Sequence, residues 1–177
     1  MKIALVKRRY NPFGGAELFL DQFLQLLVAK NHEVHLFTHH WKKNRYSRDA
    51  FVLHPVSVEE KTAPFFQMLS FSSDSERLLK QNRFDVIHGF ERCPFLDLYQ
   101  AVEGCHRAWL TQQAKNDKSL AHLKQDMLHQ VTLALERQIF TNPRTQLIVC
   151  NSLLVKRQIQ KYYDVPDKKL RVHLQWG

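Results

Sequence analysis

The stretch KIALVKRRYNPFGGAELFLDQFLQLLVAKNHEVHLFT, residues 2–38, decides the fold class. It begins with a short apolar run, passes through a loop with two adjacent glycines, and then repeats apolar residues every three to four positions. That spacing places Phe19, Phe23, Leu26 and Leu27 on one face of a helix. A second strand-like run, EVHLFT, follows at residues 33–38. The order of strand, helix and strand predicts an α/β domain with a parallel sheet.

The rest of the chain continues this alternation. Further strands are predicted in AFVLHPV (50–56), RFDVIHGF (83–90), LDLYQAV (96–102), TQLIVCNS (145–152) and LRVHLQ (170–175). The sequence SDSE at residues 73–76 fits a capping box, so a helix is predicted from there to about Asn82. Residues 61–71 are apolar without a clear period and receive no assignment. Residues 106–141 have a helical pattern with a break near Asn116, and Asn151 or Ser152 is predicted to cap a helix that follows.

The net charge and the cysteine pattern indicate which kinds of partner and which redox compartment to expect. The formal net charge of +9 at pH 7 favours anionic partners, among them phosphorylated sugars, lipid headgroups, nucleic acid and nucleotides. The cysteines Cys93, Cys105 and Cys150 form no CxxC motif, and we expect buried thiols rather than a disulfide. The first apolar run ends after Val6, too early for a secretory signal, and no segment is apolar enough to span a membrane. We therefore expect one cytoplasmic domain over residues 1–177, and any contact with the cell membrane to be peripheral.

The adjacent glycines, Gly14 and Gly15, lie between the first strand and the first helix. Glycine adopts positive φ and lets another group approach the backbone closely. In a parallel sheet this loop faces the ligand crevice, and the free N–H groups of the next helix favour an anion. The glycines therefore indicate either a phosphate or sugar site or a tight turn. The motif GxGxxG is missing, which disfavours a dehydrogenase. The Lys-Ser/Thr pair of a P-loop is also missing.

Three segments resemble family 4 glycosyltransferases of the GT-B fold. Residues 11–38 are similar to that family's diglycine loop, long helix and entry to the second strand. Residues 147–177 are similar to its Asn/Ser-initiated helix, its Y-x-V-P-x-x-K turn and the strand before the crossover between domains. Residues 86–110, VIHGFERCPFLDLYQAVEGCHRAWL, resemble the lipopolysaccharide core glucosyltransferase branch. The resemblance covers nearly the whole chain and implies a Rossmann-like, doubly wound, mostly parallel sheet with helices on both faces, the N-terminal half of a GT-B fold.

The resemblance also implies an activity. Such enzymes transfer a sugar from a nucleotide donor to an acceptor hydroxyl with retention at the anomeric carbon, here a hexose such as glucose from UDP-glucose to a core heptose. Gly14 and Gly15 would lie beside the donor diphosphate, where backbone N–H groups oppose the leaving group's charge. Glu103 would act at the acceptor hydroxyl or at the developing positive sugar, although the family branch has Asp there and a solvated carboxylate is the alternative. No cofactor and no donor-side metal are expected.

Basic residues are expected around the mouth of the cleft. Lys7 and Arg9 lie in the glycine loop and Lys42 in the loop after the second strand, where they would attract a phosphorylated or lipid-linked acceptor. His88 ends a strand at the same rim, and it is predicted either to position the acceptor or to be structural. No carboxylate pair is arranged as in a glycosidase.

The remaining histidines do not indicate a metal site. His35, His39 and His40 have no carboxylate or thiolate at ligand spacing along the chain. We therefore expect no bound metal.

The long helical stretch has two interpretations. Trp109 and Lys115 mark HRAWLTQQAK (106–115), with Lys118 three residues beyond it, as the better candidate for membrane contact. Residues 120–139 are expected to pack an apolar stripe on the sheet. The resemblance implies that a C-terminal donor-binding domain is absent from this chain and that the chain alone is inactive. The exposed inter-domain face is a candidate surface for homo-oligomers. The alternatives are a non-catalytic module for anionic glycolipid or membrane and, less favoured without an RNA-binding or zinc motif, a nucleic-acid binder.

Overall fold

A computed structural model describes residues 1–10, 15–41, 51–117, 122–123 and 125–173 of the chain. Within these ranges the strands are β1 (Lys2–Val6), β2 (Arg9–Tyr10), β3 (Glu33–Thr38), β4 (His40–Trp41), β5 (Val52–Pro55), β6 (Val86–Gly89), β7 (Leu98–Ala101), β8 (Leu147–Cys150) and β9 (Leu170–Val172). The helices are α1 (Gly15–Ala29), α2 (Pro64–Lys80), α3 (His106–Asn116), α4 (Met127–Thr141) and α5 (Leu153–Tyr163). The predicted strands and the break between α3 and α4 are confirmed.

Seven strands form one parallel sheet in the order β5-β3-β1-β6-β7-β8-β9. The strands β3 and β5 are therefore added on one side of β1. The chain then crosses back through α2, and β6 to β9 are added on the other side of β1. This order confirms the predicted doubly wound, Rossmann-like sheet. The carboxyl ends of β1 and β6 flank the reversal point, which is where such sheets bind ligands. A separate two-stranded ribbon pairs β2 with β4.

Helices cover both faces of the sheet. On one face, Leu20 and Leu24 of α1 pack with Leu5 and Leu36 of the central strands. On the other face, α2, α4 and α5 contribute a larger core that includes Phe71, Phe140 and Ile159. Alternate residues of β1 enter the two cores, so residues 3–6 of this strand are all apolar, as expected for a strand covered on both faces.

The predicted start of the second helix is wrong. Residues 73–76 lie in the middle of α2, which begins nine residues earlier at Pro64. Proline is favoured in the first turn because its missing N–H has no intrahelical partner there. Within this segment, Asp74 accepts a hydrogen bond from the backbone N–H of Ser57 at 2.8 Å and pairs with Arg77. The unassigned residues 64–71 form the first two turns of α2.

Local capping was predicted correctly for α5. The Ser152 side chain accepts a hydrogen bond from the backbone N–H of Val155 at 3.2 Å. The helix ends at Tyr163, and the next residue, Asp164, adopts a left-handed conformation with φ of 53°. The later part of the predicted stripe packs inward as expected, since Val131, Leu135 and Ile139 are buried. Its earlier part does not, because Met127 is 51% exposed, and Leu120 lies outside the described residues.

Candidate functional site

The crevice at the strand reversal carries charged groups. The backbone N–H of Phe90 donates to the carbonyl of Val6 at 2.8 Å, which holds the ends of β1 and β6 together. Lys7, predicted to bind the acceptor, is buried, and its Nζ lies 3.9 Å from Glu91 Oε2. The same Glu91 oxygen accepts from the backbone N–H of Arg8 at 3.4 Å. Glu91 was missed by the sequence analysis, because nothing in the local pattern separates it from a surface carboxylate.

Glu103 pairs with a buried arginine. It follows β7 in a turn that places Gly104 at φ of 73°, a conformation that side chains rarely adopt. Arg92 Nη1 donates to Glu103 Oε2, and the Arg92 side chain is only 5% exposed whereas that of Glu103 is 54% exposed. The carboxylate is therefore held at the edge of the protein by a guanidinium that the protein encloses.

This pair settles the charge state of Glu103. Burial acts to raise the pKa of Glu103, but the charge and hydrogen bond of Arg92 outweigh it, with smaller contributions from Lys7 and Arg8. The pKa of Glu103 therefore lies below its ordinary value. Burial also works against the charge of Arg92, yet its anionic neighbours raise its pKa. Both side chains are ionised at neutral pH.

A second carboxylate holds α3 in place beside Glu103. Glu136 of α4 is 1% exposed and accepts from the backbone N–H groups of His106 and Arg107 at 2.6 and 3.2 Å. It also accepts from the hydroxyl of Tyr163 at 2.5 Å. The first turn of α3 has no side-chain cap from Cys105, so Glu136 supplies this function from another helix.

A groove of about 780 Å³ runs between α3 and α5 and opens beside Glu103. Its lining includes Glu103, Trp109, Lys115, Asn151, Arg157 and Lys161. Three residues predicted from the sequence for two different roles thus share one surface. The indole of Trp109 is 45% exposed and stacks on the His106 ring with centroids 5.5 Å apart. Arg157 and Lys161 of α5 were missed because their place opposite α3 depends on helix packing.

His88 lies inside the protein rather than at the rim. It is buried between Phe23 and Phe90, whose ring centroids lie 5.3 and 4.4 Å from its own. Burial lowers the pKa of His88 to about 3, with Gln100 acting weakly in the opposite direction. The imidazole is therefore neutral, and its predicted contact with the acceptor stays a prediction.

Of the other predicted site residues, some are described by the structure and some are not. Gly15 is the first residue of α1, and Arg9 is an exposed residue of β2. Gly14, Lys42 and Lys118 lie outside the described residues. Trp109 and Lys115 lie on α3, as predicted for the candidate membrane helix. Among the described residues, none of the helices has the length and apolarity needed to cross a bilayer.

The fold also brings together residues that are distant in the sequence. His39 and His40 face Glu60, with each Nε2 atom near the same carboxylate oxygen. The sequence analysis found no carboxylate at ligand spacing because Glu60 is about twenty residues away along the chain. The three cysteines are buried free thiols, as expected.

A family model, a curated relative and a solved structure are similar to the chain. The model of Glycosyltransferase Family 4 matches residues 13–173. The chain is 25% identical over 175 residues to the lipopolysaccharide glucosyltransferase WaaG of Escherichia coli strain K12, covering 97% of this chain and 44% of the relative. A crystal structure of WaaG, a glycosyltransferase involved in lipopolysaccharide biosynthesis, superposes with a TM-score of 0.82 at 22% identity and covers 96% of this chain and 44% of that one. The chain thus spans less than half the length of both relatives.

Proposed function

The chain belongs to Glycosyltransferase Family 4, and from that membership we propose that it is the acceptor-binding half of a retaining, nucleotide-sugar-dependent hexosyltransferase. The proposed acceptor is the heptose region of a lipopolysaccharide core, and the proposed donor is UDP-glucose. The support for these substrates is the relative's activity as a lipopolysaccharide glucosyltransferase. The proposed location is the cytoplasmic face of the cell membrane.

The observation that carries the proposal is the pairing of Glu103 with Arg92 at the carboxyl end of β7. A carboxylate whose pKa is held below its ordinary value is a weak base, so Glu103 is poorly suited to remove a proton early in the reaction. It is well suited to accept a hydrogen bond from an acceptor hydroxyl and to face positive charge that develops on the sugar. Arg92 fixes the carboxylate in position, because the buried guanidinium has no freedom to follow it into solvent.

The α3–α5 groove is the proposed path of the acceptor. Lys115, Arg157 and Lys161 place positive charge along it, which suits phosphate groups on the core sugars. The exposed face of Trp109 offers an apolar surface beside these cations, suited to a sugar ring or to the lipid portion. The acceptor would reach Glu103 at the end of the groove nearest the strand reversal.

Catalysis is proposed to need a second domain. In the family the nucleotide is held mainly by a C-terminal domain, and closure of the two domains orients the reacting groups. Positioning of this kind accounts for a large part of an enzyme's rate enhancement. The 177-residue chain is therefore proposed to bind acceptor while transferring no sugar.

The test uses two measurements. The first is binding of the chain to phosphorylated, heptose-terminated core oligosaccharide, measured by calorimetry. Replacing Arg157 and Lys161 together by glutamine is expected to weaken binding about tenfold or more, since both cations line the groove. The matched control replaces Lys30 and Arg83, which are exposed at the opposite end of the sheet, and is expected to leave affinity unchanged. Equal weakening by both double variants would contradict the assigned groove.

The second measurement is transfer of labelled glucose from UDP-glucose by the chain fused to the C-terminal half of the E. coli relative. Glu103→Gln is expected to lower the rate about a hundredfold, whereas the unfused chain is expected to give no transfer. Transfer by the unfused chain, or an unchanged rate in the variant, would refute the assignment.

The exposed indole of Trp109 beside Lys115 favours a second candidate function, a non-catalytic module that binds anionic glycolipid or membrane. Cosedimentation with vesicles containing anionic lipid, without affinity for the oligosaccharide and without transfer by the fused chain, would favour this function over the first.

A further inference from the structure

His39, His40 and Glu60, here called the His–His–Glu cluster, lie together next to the β2–β4 ribbon. Glu60 Oε1 is 3.0 Å from His39 Nε2 and 2.5 Å from His40 Nε2. The three ligand atoms all lie within 4.8 Å of one another. The geometry points to a binding site for a borderline divalent transition-metal ion of the zinc class, and this inference is independent of the proposed transferase function.

The spacing of the three atoms fits a metal ion with little movement. Zinc binds imidazole nitrogen and carboxylate oxygen at about 2.0–2.2 Å, which puts neighbouring ligand atoms of a tetrahedral site about 3.3 Å apart. The distance from His39 Nε2 to the Glu60 oxygen is about 0.3 Å below that value, and the distance from His40 Nε2 is about 0.8 Å below it. A small outward rotation of the exposed His40 and Glu60 side chains makes room for the ion.

The hydrogen bonding of His39 leaves its other nitrogen directed at the carboxylate. His39 Nδ1 lies 2.9 Å from the carbonyl oxygen of Val56, and a carbonyl can only accept, so Nδ1 carries the hydrogen. In a neutral ring Nε2 then presents a lone pair, and it faces a carboxylate oxygen that is also an acceptor. Two acceptors repel at this distance unless a cation lies between them, and that cation is either a proton on Nε2 or a metal ion that takes the proton's place. A backbone carbonyl that fixes one nitrogen of a histidine while the other binds metal is the common arrangement in metal sites.

The ligands are anchored on two separate pieces of structure. The backbone N–H groups of His39 and His40 both donate to the carbonyl of Arg8, at 3.0 and 3.1 Å. The carbonyl of Glu60 accepts from the Gln67 side chain in the second turn of α2 at 3.0 Å. A bound ion would therefore tie the ribbon to the loop that precedes α2. Because both pieces are already held, binding requires little ordering of the chain.

The ligand types indicate which ion binds. Two imidazoles and one carboxylate suit zinc and its neighbours, whereas magnesium and calcium prefer oxygen ligands alone. His40 and Glu60 have side chains 52% and 51% exposed, so an ion can enter from solvent and keep a position for water. The fourth position makes this an open site rather than a closed structural one.

The test is a zinc titration of the tag-free 177-residue chain after treatment with chelator, using a chromophoric chelator as competitor. We expect one zinc ion per chain, no measurable binding of magnesium, and a melting temperature that rises when zinc is added. His40→Gln and Glu60→Gln are each expected to weaken zinc binding by at least about tenfold and to remove the thermal shift, since each deletes one ligand. Both residues are exposed, and circular dichroism without zinc establishes that the variants are folded.

The matched control is His32→Gln. His32 lies just before β3 and His39 just after it, so the two histidines are at opposite ends of one strand, roughly 20 Å apart. This variant is expected to bind zinc with the affinity of the original chain. The absence of saturable zinc binding, or equal binding by the chain and both ligand variants, would overturn the proposal.

Discussion

Replacing Glu136 by alanine removes the carboxylate that joins α3, α4 and α5. Three donors lose their acceptor: the backbone N–H groups of His106 and Arg107 and the hydroxyl of Tyr163. The effect of the carboxylate is visible on its partner, because burial and the hydrogen bond to Glu136 raise the pKa of Tyr163 far above its ordinary value. The change is confined to the interior, since the Glu136 side chain is buried.

The expected loss follows from these contacts. Removing a helix cap costs about 0.5–2 kcal/mol, and losing a hydrogen bond to a charged group costs about 1.5–3 kcal/mol. The variant no longer has to bury an ionised carboxylate, which offsets part of both costs. We therefore expect the free energy of unfolding to fall by about 3 kcal/mol, within a range of about 2–5 kcal/mol. For a chain of this size that loss lowers the melting temperature by about 6–12 °C.

The assay is urea unfolding followed by far-ultraviolet circular dichroism and by tryptophan fluorescence, with coincident transitions as the criterion for two-state behaviour. Glu136→Gln keeps an acceptor oxygen and loses the charge, so about half of the destabilisation is expected. Glu59→Ala is the matched control, because Glu59 is an exposed glutamate, and we expect a change below about 0.5 kcal/mol. A loss of less than about 1 kcal/mol in Glu136→Ala, or equality with the control, would refute the assigned role of Glu136 as the cap of α3.

Two further predictions concern the strand that carries His88. Gly89→Ala is expected to lower the free energy of unfolding by about 1–3 kcal/mol in urea denaturation. The added Cβ would overlap the fully buried Leu96 side chain, whose Cδ2 atom would be only 2.7 Å away. Wild-type stability of the variant would show that this packing is not tight. The second prediction concerns pH, because His88 has a folded-state pKa of about 3 against 6.5 for the free side chain. Between these pH values the unfolded chain binds one more proton than the folded chain. The free energy of unfolding therefore falls on acidification below about pH 6.5. From pH 7 to pH 5 this residue is expected to lower the free energy of unfolding by about 2 kcal/mol. His88→Gln should reduce the pH dependence of the free energy of unfolding by that amount. An unchanged pH dependence in the variant would mean that His88 is accessible to protons in the folded state.

Local sequence patterns were sufficient for most of the secondary structure. The apolar runs of β1, β6 and β8 are short and bounded by polar residues, and the Ser152 cap needs only the backbone N–H three residues later. The same reliance on local patterns produced the error in α2. Residues 73–76 have the composition of a cap, but the extended segment before Pro64 ends nine residues earlier, and the helix continues through the serines because Phe71 and Leu79 are buried against the sheet.

The position of Glu103 could be predicted, whereas its partner could not. A residue at the carboxyl end of a parallel strand lies at the ligand edge in any sheet of this class, so its place follows from the order of the elements. Arg92 comes eleven residues earlier, in the loop after β6, and meets Glu103 only because β6 and β7 are neighbours in the sheet. The resemblance to the family supplied the expected role of Glu103 and not this contact.

The sequence by itself determined the class of fold, the bounds of most strands and helices, and the edge of the sheet at which ligands are expected. These follow from interactions within a few residues, namely periodic burial, caps and turns. Only the tertiary structure decided which distant side chains meet: Glu136 beneath α3, the cations of α5 opposite Trp109, and Glu60 beside His39 and His40. The physical reason is that such pairings depend on strand order and helix packing, which are set by the burial of the whole core rather than by any one segment.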